Sequence, residues 1–115
     1  MRMLAVFAFC LVISDNAHSK DAAALGAGTF TCGQFAADYK KNPSLAEGLF
    51  YTWAQGFMSG YNLAKLVSKA PSKNLSAKSQ DEQKAQLRRF CNDNPLSDYG
   101  RAVFIMYDSL PDTRP

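Results

Sequence analysis

The stretch that decides the fold is residues 44–70, SLAEGLFYTWAQGFMSGYNLAKLVSKA. It is the longest window with a helical period, because apolar residues recur in it every three or four positions. The recurring residues are Leu45, Leu49, Trp53, Phe57, Tyr61 and Ala64. We expect them to form the buried stripe of a central helix.

The start and the interior of this helix carry signals of their own. Pro43 precedes the helix, and Ser44 with Glu47 matches the capping-box pattern of a helix N-terminus. Three glycines also lie in the stretch, at Gly48, Gly56 and Gly60. Each glycine costs about 1 kcal/mol relative to alanine in a helix interior. We expect close approach of a neighbouring backbone to compensate for that cost.

Two shorter helices also begin at capping boxes. Thr31 with Gln34 predicts a helix that starts near residue 31 and ends before the Asn-Pro pair at 42–43. Ser79 with Glu82 predicts another helix, over residues 79–91. Between the central helix and this one, residues 71–78 (PSKNLSAK) are rich in Ser, Lys, Asn and Pro, which predicts an exposed connection.

A last helix begins near Ser97 or Asp98 and ends at Pro111, with apolar residues at helical spacing between them. No segment shows a competing strand-like alternation of apolar and polar residues. The sequence therefore predicts an all-α fold, a small bundle of about four helices.

Residues 1–19 have the features of a secretory signal peptide. Arg2 supplies a positive charge, residues 4–13 form an apolar run, and Ala17 and Ser19 make a small-residue cleavage site. The mature chain would begin at Lys20 and have 96 of the 115 residues. We expect a flexible N-terminal arm at 20–28, a single helical domain at 29–115, and a periplasmic or secreted protein that does not stay in the membrane after cleavage.

Removal of Cys10 with the signal peptide leaves two cysteines, Cys32 and Cys91. An even pair in an exported protein predicts a disulfide bond. The two residues are 59 positions apart, and closing a loop of that length stabilises the fold by roughly 4 kcal/mol in the chain-entropy treatment. One disulfide would thus join the start of the first helix to the end of the third.

The sequence contains few of the residue combinations that catalysis, metal binding or cofactor binding requires. The single histidine, His18, falls in the signal peptide, so the mature chain has no Ser-His or Cys-His pair and no zinc-ligand set. The carboxylates are spread out, and the glycines match no phosphate or dinucleotide fingerprint. The net charge of +3 comes from scattered basic residues, which does not favour nucleic-acid binding. We expect no enzyme activity, no metal and no cofactor.

Aromatic density in the central helix is the remaining unusual feature. Phe50, Tyr51, Trp53, Phe57 and Tyr61 fall within twelve positions. Trp53 and Phe57 share the predicted buried stripe and are expected in the core. Phe50 lies at its edge and Tyr51 lies off it, so these two belong either to ordinary packing or to a homodimer seam or client-binding patch. The five are the candidate protein-binding or dimer residues.

Two segments around the cysteines, FTCGQF at residues 30–35 and FCNDNP at residues 90–95, resemble the small periplasmic acid-stress chaperones of the HdeA/HdeB family. Residues 30–35 (FTCGQF) are similar to the Thr-Cys-x-x-Phe opening of that family, and residues 90–95 (FCNDNP) are similar to its second cysteine segment. The order of helices agrees, whereas the central WAQGFMSGYN segment and the longer cysteine spacing depart from the family. The layout is also similar to that of Tai-type immunity proteins of type VI secretion.

The chaperone resemblance implies a dimer that is inactive near neutral pH and that loosens in acid to hold unfolding client proteins. Protonating the nine carboxylates of the mature chain would raise its formal charge from +3 to about +12, which opposes compaction. The resulting hypothesis is an exported protein that binds other proteins, as an acid-activated chaperone. The alternative is a protein dedicated to one partner, such as an immunity protein.

Overall fold

The computed structural model describes residues 22–114, and the predicted signal peptide lies outside them. This part of the chain folds into four α-helices preceded by one 3-10 helix, Ala27–Thr29. The α-helices are α1 (Cys32–Lys41), α2 (Pro43–Val67), α3 (Gln80–Asp93) and α4 (Tyr99–Ser109). Two isolated β-bridges are the only extended pairings among the described residues. The predicted all-α bundle is confirmed.

Local capping chemistry fixes two of the helix starts as predicted. Thr31 and Gln34 form a reciprocal capping box at α1, and Ser79 and Glu82 form another at α3. The third predicted box is wrong, because Asn42 caps α2 and accepts from the N–H of Leu45 at 3.2 Å. Pro43 then occupies the first turn of α2, where its missing N–H costs nothing.

The predicted disulfide is confirmed. Cys32, the first residue of α1, is bonded to Cys91 near the end of α3, and their Cα atoms are 4.6 Å apart. Backbone hydrogen bonds reinforce the junction, since the N–H of Cys32 donates to the carbonyl of Ser97 and that of Gly33 to the carbonyl of Pro95. The N-terminus of α1 is therefore fixed to the loop between α3 and α4.

The core lies between the inner side of α2 and the other three helices. From α2 it takes Ala46, Phe50, Tyr51, Ala54 and Met58, and from α4 it takes Tyr99, Ala102, Val103, Met106 and Tyr107. Phe35 of α1 and Leu87 of α3 complete it with the disulfide. Phe35, Phe50 and Tyr99 pack with ring centroids 4.9–5.0 Å apart.

The predicted buried stripe of α2 is wrong at its N-terminal end, where Leu45 and Leu49 are 58% and 62% exposed. A helix has 3.6 residues per turn, so each step of four residues advances about 40° beyond a full turn. Over the sixteen residues from Leu45 to Tyr61 the drift is about 160°, which places the two ends on nearly opposite sides of the helix. The buried side is instead the one that carries Phe50 and Met58.

The folded unit begins earlier than the predicted boundary at residue 29. The indole N–H of Trp53 donates to the carbonyl of Leu25 at 2.9 Å, and Gly28 is buried against the indole ring. A Cβ on Gly28 would overlap that ring, and a Cβ on Gly100 would lie 2.8 Å from the Gly28 carbonyl oxygen. The last residues of the expected flexible arm are thus packed between α2 and α4, because these glycines leave room for them.

The connection from α2 to α3 is held in place and is not simply exposed. Asn62 accepts from the backbone N–H of Lys73 at 2.9 Å and donates to its carbonyl at 2.8 Å. The Tyr107 hydroxyl donates to the same Asn62 side chain at 2.7 Å, and Lys73 forms an ion pair with Asp112 at 3.0 Å. The connection is therefore tied to α2, to α4 and to the C-terminal segment.

Candidate protein-binding surface

Two of the five predicted binding residues are in the core. Phe50 and Tyr51 are 3% and 5% exposed, so they have no free surface for a partner. Phe50 packs in the aromatic cluster, and the Tyr51 hydroxyl donates to the side-chain oxygen of Gln83 at 3.0 Å. Burial raises the pKa of Tyr51. Their assignment to a dimer seam or client patch is therefore wrong, and the ordinary-packing alternative holds.

The other three predicted residues form a stacked ladder along α2. The Trp53 and Phe57 rings are 5.4 Å apart and the Phe57 and Tyr61 rings are 6.0 Å apart, with interplanar angles of 17° and 13°. Trp53 and Phe57 are half-buried, while Tyr61 is partly exposed beside Phe104 of α4. The ladder packs α2 against the N-terminal segment and α4, so its role in the fold is structural.

The side of α2 that points away from the core, opposite Phe50 and Met58, carries a different set of residues. We call this side the outer face. Its members follow one another at alternating steps of four and three residues, and all of them are exposed. They are Leu45, Leu49, Thr52, Gly56, Ser59, Leu63 and Leu66. Such alternation keeps residues on one seam of a helix, as in helices that pack lengthwise on a partner.

Leucines at both ends make the outer face apolar. Leu63 and Leu66 are 63% and 68% exposed, similar to Leu45 and Leu49 at the other end. Single exposed leucines are common on protein surfaces, but four on one seam of one helix form an apolar strip. Leu45 and Leu49 also line two shallow clefts beside the N-terminal half of α2.

Charge is absent from the outer face. Only two of the 25 residues of α2 are charged, Glu47 and Lys65. Glu47 is paired with Arg88 of α3, and the Lys65 ammonium lies 5.4 Å from the centre of the Tyr61 ring. A helix whose exposed side faces only water usually carries charged residues there, whereas the centres of protein interfaces are depleted of charge. In its lack of charge, this face is similar to the centre of a protein interface.

The glycines of α2 have no packing role within the described chain. A Cβ built on Gly48, Gly56 or Gly60 would meet no atom within 4 Å. The expected approach of a neighbouring backbone is therefore wrong for contacts within this chain. Because each glycine still costs the helix about 1 kcal/mol relative to alanine, its cost has no compensation inside the folded chain.

A cleft between α2 and α3 offers no comparable site. It has a volume of about 360 Å³ and is lined by Tyr51, Met58 and Gln83 among others. The buried Gln83 amide is fully engaged, since its nitrogen donates to the carbonyls of Leu75 and Lys78 at 2.8 and 3.0 Å. The Gln83 side chain thus holds the α2–α3 connection against the core through its contacts with Leu75 and Lys78.

Residues 22–114 contain no cluster of three or more His, Cys, Asp or Glu side chains that could hold a metal ion. The helices in this range include none long and apolar enough to cross a membrane. The Cys32–Cys91 disulfide fits a protein of an oxidising compartment.

Comparison of the chain with protein-family models, with curated proteins and with solved structures finds no match. The resemblance to the HdeA/HdeB family therefore still rests on the two cysteine segments and stays a prediction. The candidate surface rests on the composition and exposure of α2 alone.

Sequence reasoning missed the outer face because it assigned Leu45 and Leu49 to the core. The signal was nevertheless present in the sequence as seven uncharged positions at alternating four- and three-residue steps. What the pattern could not reveal is which side of α2 the other helices cover.

Proposed function

We propose that this protein is a non-catalytic, exported protein that binds other proteins through the outer face of α2. The observation that carries the proposal is an uncharged, leucine-rich strip that stays exposed in the folded chain. The alternating spacing suits a partner helix laid along it, in which anchors at helical spacing give most of the affinity.

The outer face can supply moderate affinity. Burying a whole leucine side chain is worth about 1.5–3 kcal/mol, so four leucines that are roughly 60% exposed give about 4–7 kcal/mol. Association costs roughly 4–15 kcal/mol in lost translational and rotational freedom. The leucines alone therefore support weak binding, and tighter binding requires that the partner also fill the glycine positions and the adjoining clefts.

The simplest form of this function operates near neutral pH, because the leucines are exposed without any unfolding. That favours binding in the native state, as expected of a protein dedicated to a partner.

The test is suppression of aggregation of an unrelated acid-sensitive protein, and binding of that protein, between pH 7 and pH 2. The wild-type mature chain is compared with Leu49→Glu and with the control Leu96→Glu, which alters a leucine that is 93% exposed outside the face.

We expect Leu49→Glu to weaken protein binding at least tenfold and Leu96→Glu to leave it unchanged. Equal effects of the two substitutions, with helical circular dichroism retained, would contradict the proposal. A pull-down near neutral pH that recovers one protein with the wild type and with Leu96→Glu, but not with Leu49→Glu, favours the dedicated-partner form of the function. Binding that appears only in acid favours the chaperone form.

The second candidate, acid activation, draws support from contacts that depend on ionised carboxylates. The backbone N–H of Ser79 donates to Glu82 at 2.7 Å and lowers the pKa of that carboxyl. A carboxyl with a lowered folded-state pKa stabilises the fold above its unfolded value of about 4.3, and this stabilisation is lost as the pH falls through the folded value. Acid would thus loosen the start of α3.

Two ion pairs also hold elements of the fold together through carboxylates. Glu47 with Arg88 joins α2 to α3, and Asp112 with Lys73 joins the C-terminal segment to the α2–α3 connection. Acid unfolding followed by near-ultraviolet circular dichroism tests this candidate. Acid activation requires the near-ultraviolet circular dichroism signal to be lost at the same pH at which suppression of aggregation appears. Suppression of aggregation without loss of that signal would contradict acid activation.

The proposed compartment is the periplasm or the extracellular medium. Support comes from the predicted signal peptide and from the disulfide. The mass of the protein recovered from the exporting cell tests it, since cleavage after Ser19 leaves a chain that begins at Lys20. A full-length chain with free thiols in the cytoplasm would contradict it.

A further inference from the structure

We propose that the partner on the outer face of α2 is a second copy of this chain, with the two α2 helices antiparallel and crossing at Gly56. This inference rests on the proposed function, because it uses the same face and names its occupant. A second copy and any other protein would exclude each other from this surface.

The leucines of the outer face are arranged nearly symmetrically about Gly56, the fourth of its seven positions. Leu49 and Leu63 each lie seven residues from Gly56. Leu45 lies eleven residues from it on one side, and Val67, which is 85% exposed and adjoins the face at Leu66, lies eleven residues from it on the other. A two-fold axis through Gly56 would therefore place Leu49 against Leu63 of the second copy. An isologous dimer requires this kind of self-complementary surface.

The distribution of residue sizes fits a crossing at Gly56. Two helices that pack lengthwise cross at about 20°, so they are closest at the crossing and separate by several ångströms toward the ends. The positions near the crossing are small, at Thr52, Gly56 and Ser59, and the leucines lie farther out. A glycine lets the second backbone approach, while the leucines fill the wider gap. The second copy thus supplies the close neighbour that the glycines lack within the chain.

The antiparallel direction follows from the dipoles of the two helices. A parallel pair would place the positive N-terminal ends of both α2 helices side by side, whereas an antiparallel pair places each beside the negative end of the other. Since the outer face carries no charged side chain, no ion pair opposes or replaces this preference. The absence of charge also removes like-charge repulsion between two identical faces.

The available area fits a reversible dimer. A leucine that is about 60% exposed presents roughly 80 Å² of apolar surface. Four leucines and Val67 then contribute about 400 Å² per subunit, or about 800 Å² in the two subunits together. This total lies below the roughly 1,200 Å² of stable specific interfaces and is typical of weak, transient ones. We expect a dissociation constant on the order of tens of micromolar or weaker.

Sedimentation equilibrium of the oxidised mature chain over a wide concentration range tests the proposal. The decisive variant is Gly56→Lys, which brings two ammonium groups together at the axis. It should not harm the monomer, because a side chain at residue 56 meets open space and lysine is a better helix former than glycine. Ala37→Lys on the exposed side of α1 adds the same charge outside the face and serves as the matched control.

We expect the wild type and Ala37→Lys to dimerise, and Gly56→Lys to weaken the dimer at least tenfold with its helical signal retained. In a mixture of Leu49→Cys and Leu63→Cys chains, oxidation should join the two different variants. A wild-type monomer at all concentrations would overturn the proposal, as would equal dimerisation of both lysine variants, or self-linking of Leu49→Cys in preference to mixed linking.

Sedimentation of the wild type and the effect of Leu49→Glu on protein binding together distinguish a wrong dimer from a wrong protein-binding role. If the wild type is monomeric but Leu49→Glu still weakens binding of another protein relative to Leu96→Glu, the dimer is wrong and the protein-binding role stands. If the wild type is monomeric and neither substitution alters protein binding, both proposals are wrong.

Discussion

Replacing Gly56 or Gly60 with alanine should stabilise the folded monomer. A Cβ at either position meets nothing within 4 Å, so the substitution causes no clash inside the chain. Alanine is favoured over glycine by about 1 kcal/mol in a helix interior, chiefly because glycine loses more backbone entropy on folding. For a domain of this size, 1 kcal/mol corresponds to a rise of roughly 4–8 °C in Tm.

Urea unfolding followed by far-ultraviolet circular dichroism measures this gain. The protein concentration is kept where sedimentation shows a monomer, since self-association would add a concentration-dependent contribution to stability. We expect each single variant to gain about 0.5–1 kcal/mol in the free energy of unfolding with an unchanged denaturant slope. A loss of stability in Gly56→Ala and Gly60→Ala would refute the reasoning, because it would mean that another part of the chain packs on this side of α2.

Three further predictions concern the rest of the fold. Gly28→Ala should destabilise the fold by about 1–3 kcal/mol, because its Cβ overlaps the Trp53 ring, and an unchanged urea midpoint would contradict that packing. Replacing Cys32 and Cys91 together with alanine should cost about 2–5 kcal/mol by the same assay, and a smaller loss would show that the helices hold together without the bond. Burial raises the pKa of Tyr51, Tyr99 and Tyr107, so these groups favour the folded state while they are neutral. That stability is fully present below the unfolded pKa of about 10 and is lost as the pH rises above it. Ultraviolet titration should therefore show part of the tyrosine ionisation above the ordinary pKa of about 10, and ionisation of every tyrosine near 10 in the still-folded protein would contradict their burial.

The parts of the fold that the sequence predicted depend on local chemistry. Thr31 with Gln34 and Ser79 with Glu82 satisfy the first amide groups of their helices within four residues, so the pattern alone specifies the helix start. The disulfide was predictable for a different reason, since the two cysteines outside the predicted signal peptide leave one pairing.

The parts that sequence reasoning missed depend on contacts between distant residues. Tyr51 was a surface candidate because it lies off the aromatic stripe, yet its hydroxyl reaches Gln83 of α3, 32 positions away. Leu45 was expected in the core because it continues the helical spacing of Trp53 and Phe57, but α1 and α3 do not cover that side of α2. Periodicity shows that a helix has an apolar side, and it cannot show which side the rest of the chain will cover.

Photo-cross-linking from position 49 tests the central claim, that the outer face of α2 is a protein-binding surface, most directly. A photoreactive residue replaces Leu49 in one sample of the oxidised mature chain and Leu96 in the other, and each is irradiated near neutral pH. Both leucines are exposed, but only Leu49 belongs to the outer face. We expect protein adducts from position 49, linked near Leu63 of the second copy, and few from position 96. No adducts from position 49, or equal yields from both positions, would contradict it.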